Sequence, residues 1–185
     1  MRCTLVASIA LLGISCAPVR IAAQENPRPQ SSPTLFEPDN YSHGFEGAAP
    51  PSDAVLNALL KTKEAQLERQ KLKGLDRMDL RRRFSVVKID LGVQNESDYV
   101  ALGSDPMSGA DCFWFWIVRS VNGEARVILF ANAYTLELLK ESTNGLRDIR
   151  TVWSSAAGYT LTDIYRFDGV KYRRIHAFTK TDRLP

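Results

Sequence analysis

The stretch CFWFWIV, residues 112–118, is apolar at every position. A strand with one wet face alternates apolar and polar residues. An unbroken apolar run therefore reads as an internal strand with something packed on each side. Its surroundings have the texture of a sheet: all but three of the 17 aromatic residues lie from Phe84 onward, and β-branched residues rise with them. Strands are expected near residues 84–90, 98–103, 112–119, 125–131, 147–154, 159–167 and 170–177. Asn122-Gly123 and Asp168-Gly169 both fit two-residue type I′ hairpin turns, which need positive φ at both central positions, and Asn144-Gly145 is a third turn signal. Trp114 and Trp116 share one face of the apolar run. Exposed, they would make a stacking platform for a sugar or a base; on an internal strand they read as core.

One face of this sheet needs a cover, and the residues before it supply one. Pro51-Ser52-Asp53 has the form of a helix start, and Val55, Leu56, Leu59, Leu60, Lys63 and Leu67 follow at helical spacing. Gly74 is a natural end for this helix over 53–73, and LDRMDLRRRF (75–84) reads as a second helical piece leading into the sheet. The expected fold class is α+β: a helical segment (52–83) packed on a mostly antiparallel sheet of hairpins (84–180), together one globular unit. No internal repeat suggests a solenoid or propeller.

The first 51 residues differ in kind. Met1-Arg2 and the apolar run TLVASIALLGI (4–14) resemble an export signal, with cleavage expected after Ala23. LLGISC, ending at Cys16, is the competing feature, a lipoprotein processing site in which Gly13 stands where such sites usually carry Leu. Residues 24–51 hold six of the nine prolines and are otherwise polar, the composition of a disordered linker. No later segment approaches the roughly 18 apolar residues of a membrane-spanning helix. A chain cut after Ala23 keeps only Cys112, so it has no internal disulfide and stands on apolar burial. The expected location is therefore periplasmic or extracellular, with a lipid-anchored envelope protein as the alternative.

With Arg2 and Arg20 removed, 22 basic residues face 21 acidic ones. Such balance gives no reason to expect a nucleic-acid partner. The balance is uneven, however. Residues 61–83 hold nine Lys/Arg, among them Arg81, Arg82 and Arg83, against four acids. This is either a solvated helical face or a surface for an anionic partner. A second basic group lies in IYRFDGVKYRRI (164–175). Lys171 and Arg173 share one strand face there, and Arg166 joins them across the turn. These charges protect an edge strand or make a contact surface.

Little points to catalysis. There are two histidines: His43 lies in the Pro-rich stretch and His176 on the last expected strand. A thiol in an apolar run, as Cys112 is, has its pKa raised rather than lowered, which argues against a Cys112–His176 dyad. Asp148 and Asp163 are the carboxylates best placed for a small hydrolase of cell-wall or polysaccharide substrates. Phosphate-binding glycine loops, a GxSxG elbow and a zinc-ligand cluster are all missing from the sequence, and no cofactor is expected.

NGLRDIRTVWSS followed by YRFDGVKY resembles a pattern of exported bacterial proteins of unassigned function, in which an NGxxDI strand precedes a YxFDGxxY hairpin. Asn144, Gly145, Asp148, Ile149, Trp153, Tyr165, Phe167, Asp168, Gly169 and Tyr172 carry the likeness, which spans about residues 55–178. It implies export and supplies no activity. KIDLGVQNESDYVALG is similar to the FG-GAP/VCBS strand–loop–strand, with Asp90 and Asp98 at the first and last calcium-ligand positions. Gly92 and Gln94 replace the ligands between them, so the likeness implies the hairpin more than the metal. The function expected is that of a non-catalytic binding module of the cell envelope or periplasm. Its partner would be an envelope component or another protein, met through Arg81, Arg82, Arg83, Trp153, Arg166, Lys171 and Arg173.

Overall fold

The hairpins fall into two sheets that face one another. The structure, a computed structural model, describes residues 34–38, 47–68, 70–93, 96–108, 112–155 and 157–181. The expected export signal, Cys16 and much of the Pro-rich stretch, His43 included, lie outside the described residues. The elements in chain order are β1 (Leu35–Phe36), α1 (Asp53–Leu60), α2 (Lys63–Leu67), α3 (Arg77–Arg82), β2 (Phe84–Ile89), β3 (Ser97–Gly103), β4 (Phe113–Val121), β5 (Glu124–Ala133), β6 (Thr135–Thr143), β7 (Leu146–Ser154), β8 (Tyr159–Phe167) and β9 (Tyr172–Thr181). One sheet has the order β2-β3-β4-β5 and the other β1-β6-β7-β8-β9, antiparallel throughout. The α+β class holds.

β4 is internal, as its unbroken apolar run requires. Phe115 and Ile117 point into the core between the sheets, with Leu102, Leu136 and Ile149. Trp116 and Val118 point the other way, against Leu56 and Leu59 of α1. Each fully buried side chain of this size contributes about 1.5–3 kcal/mol. The order of layers is thus helices, four-stranded sheet, five-stranded sheet. Trp114 and Trp116 belong to the helix-facing core, their ring centroids 6.0 Å apart, and Trp116 also packs edge-on against Phe84 at 5.6 Å.

The expected single helix is broken. Thr62 turns its hydroxyl to the Ala65 amide and caps a new helix, while its own hydroxyl hydrogen donates to the Leu59 carbonyl at 2.7 Å. A strand not expected at all is β6, whose TLELLKEST reads more like helix. The reason is a register jump. Leu138 faces Ile149, but the next paired residues are Ser142 and Arg147. Arg147 then donates its guanidinium to the carbonyls of Leu138 and Leu139 at 2.7 and 2.6 Å, satisfying groups the ladder leaves open.

The Pro-rich stretch is not wholly a linker. Leu35 and Phe36 pair with β6, and Phe36 is buried in the inter-sheet core; further on, Ala49 bridges to Val86. Asn122 and Asn144 have φ of 53° and 50°, each followed by a glycine at 83°, as type I′ turns demand. Asp168-Gly169 is different. Among the described non-glycine residues only the two asparagines have positive φ, so Asp168 is no type I′ residue. Its carboxylate instead accepts the amides of Val170 and Lys171, both at 2.8 Å, in a loop over 168–171.

Candidate functional site

Two sheet edges meet where the sandwich is open. β5 ends one sheet and β9 ends the other, and an open cleft of about 310 Å³ lies between them. Phe130 and its neighbours on β5 form one wall; Tyr165, Tyr172, Lys171, Arg173 and Arg174 form the other. Tyr172 is buried against Phe167, ring centroids 5.6 Å apart, and donates its hydroxyl hydrogen to the Arg147 carbonyl at 2.6 Å. Burial first, then the Asp98 and Asp148 carboxylates, push its phenol well above the ordinary range. Burial and the neighbouring Asp163 likewise raise Tyr165. Both rings stay neutral, as apolar faces with a polar tip.

The cations at this rim are held by local carboxylates. Arg173 meets Asp168 at 2.7 Å, Arg174 meets Asp163 at 3.4 Å, and Arg166 meets Asp148 at 3.1 Å. All three arginines are more than half exposed. Lys171 is exposed and has no ion-pair partner among the described residues. The Lys171 amide, Arg173 and the Val170 amide hold the Asp168 carboxyl far below the usual carboxylate range.

Asp148 and Asp163 do not share an ion pair. Asp163 lies opposite Thr151 on β7, three residues beyond Asp148, and each aspartate is bound to a different arginine. Three residues of strand is about 10 Å. Each also keeps one buried oxygen without a hydrogen-bond partner. Trp153 lies on the face of β7 that carries Ile149 and Thr151. Those two are buried and Trp153 only half-buried, while Leu161 opposite it is half-buried and Tyr159 beyond is exposed. The inter-sheet core thins out here, leaving Trp153 on an overhang of the five-stranded sheet.

The remaining expected residues lie elsewhere. Arg81 binds Asp53 at 2.6 Å, Arg82 is 3.5 Å from Asp79, and Arg83 donates to the Asp105 carbonyl at 2.8 Å. Asp90 spends a carboxylate oxygen on the Gly92 amide at 2.7 Å. Asp98 turns inward instead. Among the described residues no group of three or more His, Cys, Asp or Glu is arranged to hold a metal ion. His176 stacks on Phe178 on exposed β9, and Cys112 is half-buried at the start of β4.

One cluster was not anticipated. Asp98 and Arg119 face each other across β3 and β4, only 2% and 5% exposed, with Glu96 bound to the same guanidinium. The Arg119 Nε is 3.9 Å from the nearer Asp98 oxygen, beyond hydrogen-bond reach. Burial, then the Asp90 carboxylate, push the Asp98 carboxyl up to about 6. The alternation carried the signal: Asp98 has the parity of Val100 and Leu102, and Arg119 that of Phe115 and Ile117. No helix among the described residues is long and apolar enough to cross a membrane. No family model, curated protein or solved structure matches the chain.

Proposed function

We propose that this chain is an exported, non-catalytic binding module of the cell envelope or periplasm, and that it holds an acidic envelope component at the β8–β9 hairpin. The observation that supports this reading is the cleft between β5 and β9, bordered by Tyr165 and the edge of β5, with a rim of Lys171, Arg173 and Arg174. An acidic ligand would meet Lys171 directly and exchange places with Asp168 on Arg173, while Arg174 stays with the buried Asp163. Exposed ion pairs are worth about 0–1 kcal/mol, so that exchange costs little. Trp153 on its overhang offers an apolar contact on the same sheet.

The test is crosslinking capture from envelope extracts and from purified cell-wall sacculi. Wild type would be compared with the double variant Lys171→Ser, Arg173→Ser. Both positions are exposed, so the fold should survive. A defined partner recovered at least about fivefold more by wild type is the expected result; five-fold is about 1 kcal/mol, the scale of one lost charge contact. Equal capture by both proteins, or none by either, would sink the reading. The N-terminus of the native protein is expected at Gln24; Cys16 surviving as an acylated first residue would make it a lipoprotein.

A further inference from the structure

The helical layer carries an open groove of mixed polar and apolar lining that the hairpin cleft does not use. It measures about 890 Å³ and is lined chiefly by Leu60, Leu67, Leu72 and Leu80, with Gln66 and Gln70 among them. Leu67 is 70% exposed, and Met78 on α3 is 62% exposed. An exposed leucine alone means nothing; this one stands at the border of an open groove and among exposed lysines. The charge around it is one-sided. Residues 61–83 hold nine Lys/Arg against Glu64, Glu68, Asp76 and Asp79. Asp53 occupies Arg77 and Arg81, Asp79 occupies Arg82, and Glu68 occupies Lys71. Lys61, Lys63 and Lys73 are exposed and have no ion-pair partner among the described residues; Lys73 also lines the groove.

We propose that this face seats the protein on an anionic phospholipid bilayer. The free lysines would lie against headgroup phosphates while Leu67 enters the boundary between headgroups and acyl chains. Surface binding needs both elements: an apolar side to enter the interface and cations to meet anionic lipid. A soluble polyanion would use the lysines and leave Leu67 idle, so the exposed leucine favours lipid. The helices and the five-stranded sheet lie on opposite sides of the four-stranded sheet. The groove and the hairpin cleft share no lining residue, so the two surfaces succeed or fail separately.

Sedimentation with vesicles tests this. The protein is used as the producing cell processes it, with its N-terminus read by mass spectrometry and one form kept for all variants. Wild type should bind vesicles of equal parts phosphatidylcholine and phosphatidylglycerol, and not pure phosphatidylcholine. Near an anionic surface each lysine contributes about fivefold, so Lys61→Gln, Lys63→Gln, Lys73→Gln should cut binding by about a hundredfold. Leu67→Asn should cut it by about threefold to tenfold, the range expected for one partly inserted side chain. All four positions are exposed, and unchanged melting would confirm their folds. The hairpin variant Lys171→Ser, Arg173→Ser should bind like wild type. Equal binding to both vesicle types would overturn the proposal, as would binding that survives the triple change. So would loss of binding in the hairpin variant, or displacement by soluble polyglutamate with Leu67→Asn inert.

Discussion

Replacing Asp98 by asparagine should stabilise the protein above neutral pH and do little in acid. In the fold the Asp98 carboxyl sits at about 6, against 3.8 in the unfolded chain. Between those values the folded state holds a proton that the unfolded state has released. Stability from this group is therefore fullest below about pH 4, declines as pH rises to about 6, and stays reduced above that. The gap is worth about 3 kcal/mol at 1.36 kcal/mol per pH unit. Asparagine keeps the shape and removes the titration, and Arg119 retains Glu96 as a partner. Urea unfolding of both proteins at pH 4, 5, 6 and 7.5 isolates the effect, since all other titrating groups cancel in the difference. The stability of Asp98→Asn relative to wild type should climb by about 2–3 kcal/mol across that range. A difference that stays flat, or falls as pH rises, would refute the reasoning; Arg119 would then be holding the carboxylate charged.

Two smaller tests concern the backbone. A Cβ on Gly103 would stand 1.8 Å from the Met107 carbonyl oxygen, so Gly103→Ala must push two backbone segments apart and should lower stability by about 1–3 kcal/mol in a urea titration. Asn122 and Asn144 hold nearly the same positive φ, but only Asn144 also donates its side-chain amide, to the Phe167 carbonyl at 2.8 Å. Asn144→Ala should therefore cost about 1 kcal/mol more than Asn122→Ala, and equal melting temperatures would show that the cross-hairpin bond adds nothing.

The strands were legible where alternation and turn chemistry agreed. β4 declared itself by its apolar run, and β8 fell where Tyr159 to Phe167 alternate. Alternation shows that a face is buried but not against what, so the division of the hairpins into two facing sheets was not readable. β6 was hidden because its alternation breaks where the strand bulges, and the residue that repairs the break, Arg147, lies on another strand. The candidate site divides in the same way. Lys171, Arg173 and Arg166 could be named as exposed cations from the hairpin pattern. Their neutralising partners could not, because Asp148 and Asp163 reach Arg166 and Arg174 only through the register of β7, β8 and β9. Asp98 and Arg119 were hidden by the habit of treating charges as surface marks, although their parity placed both inside.

Phe36 shifts where this domain begins. Composition draws the border near Ser52, yet an aromatic ring from upstream of that border fills part of the space between the sheets and its backbone closes the edge of β6. A chain shortened to start at Ser52 would lose that ring and leave an uncovered strand edge beside an apolar hole, the combination that drives intermolecular strand pairing. Expression trials that trim the proline-rich arm for convenience should meet insoluble protein, whereas fragments starting ahead of Leu35 should stay in solution.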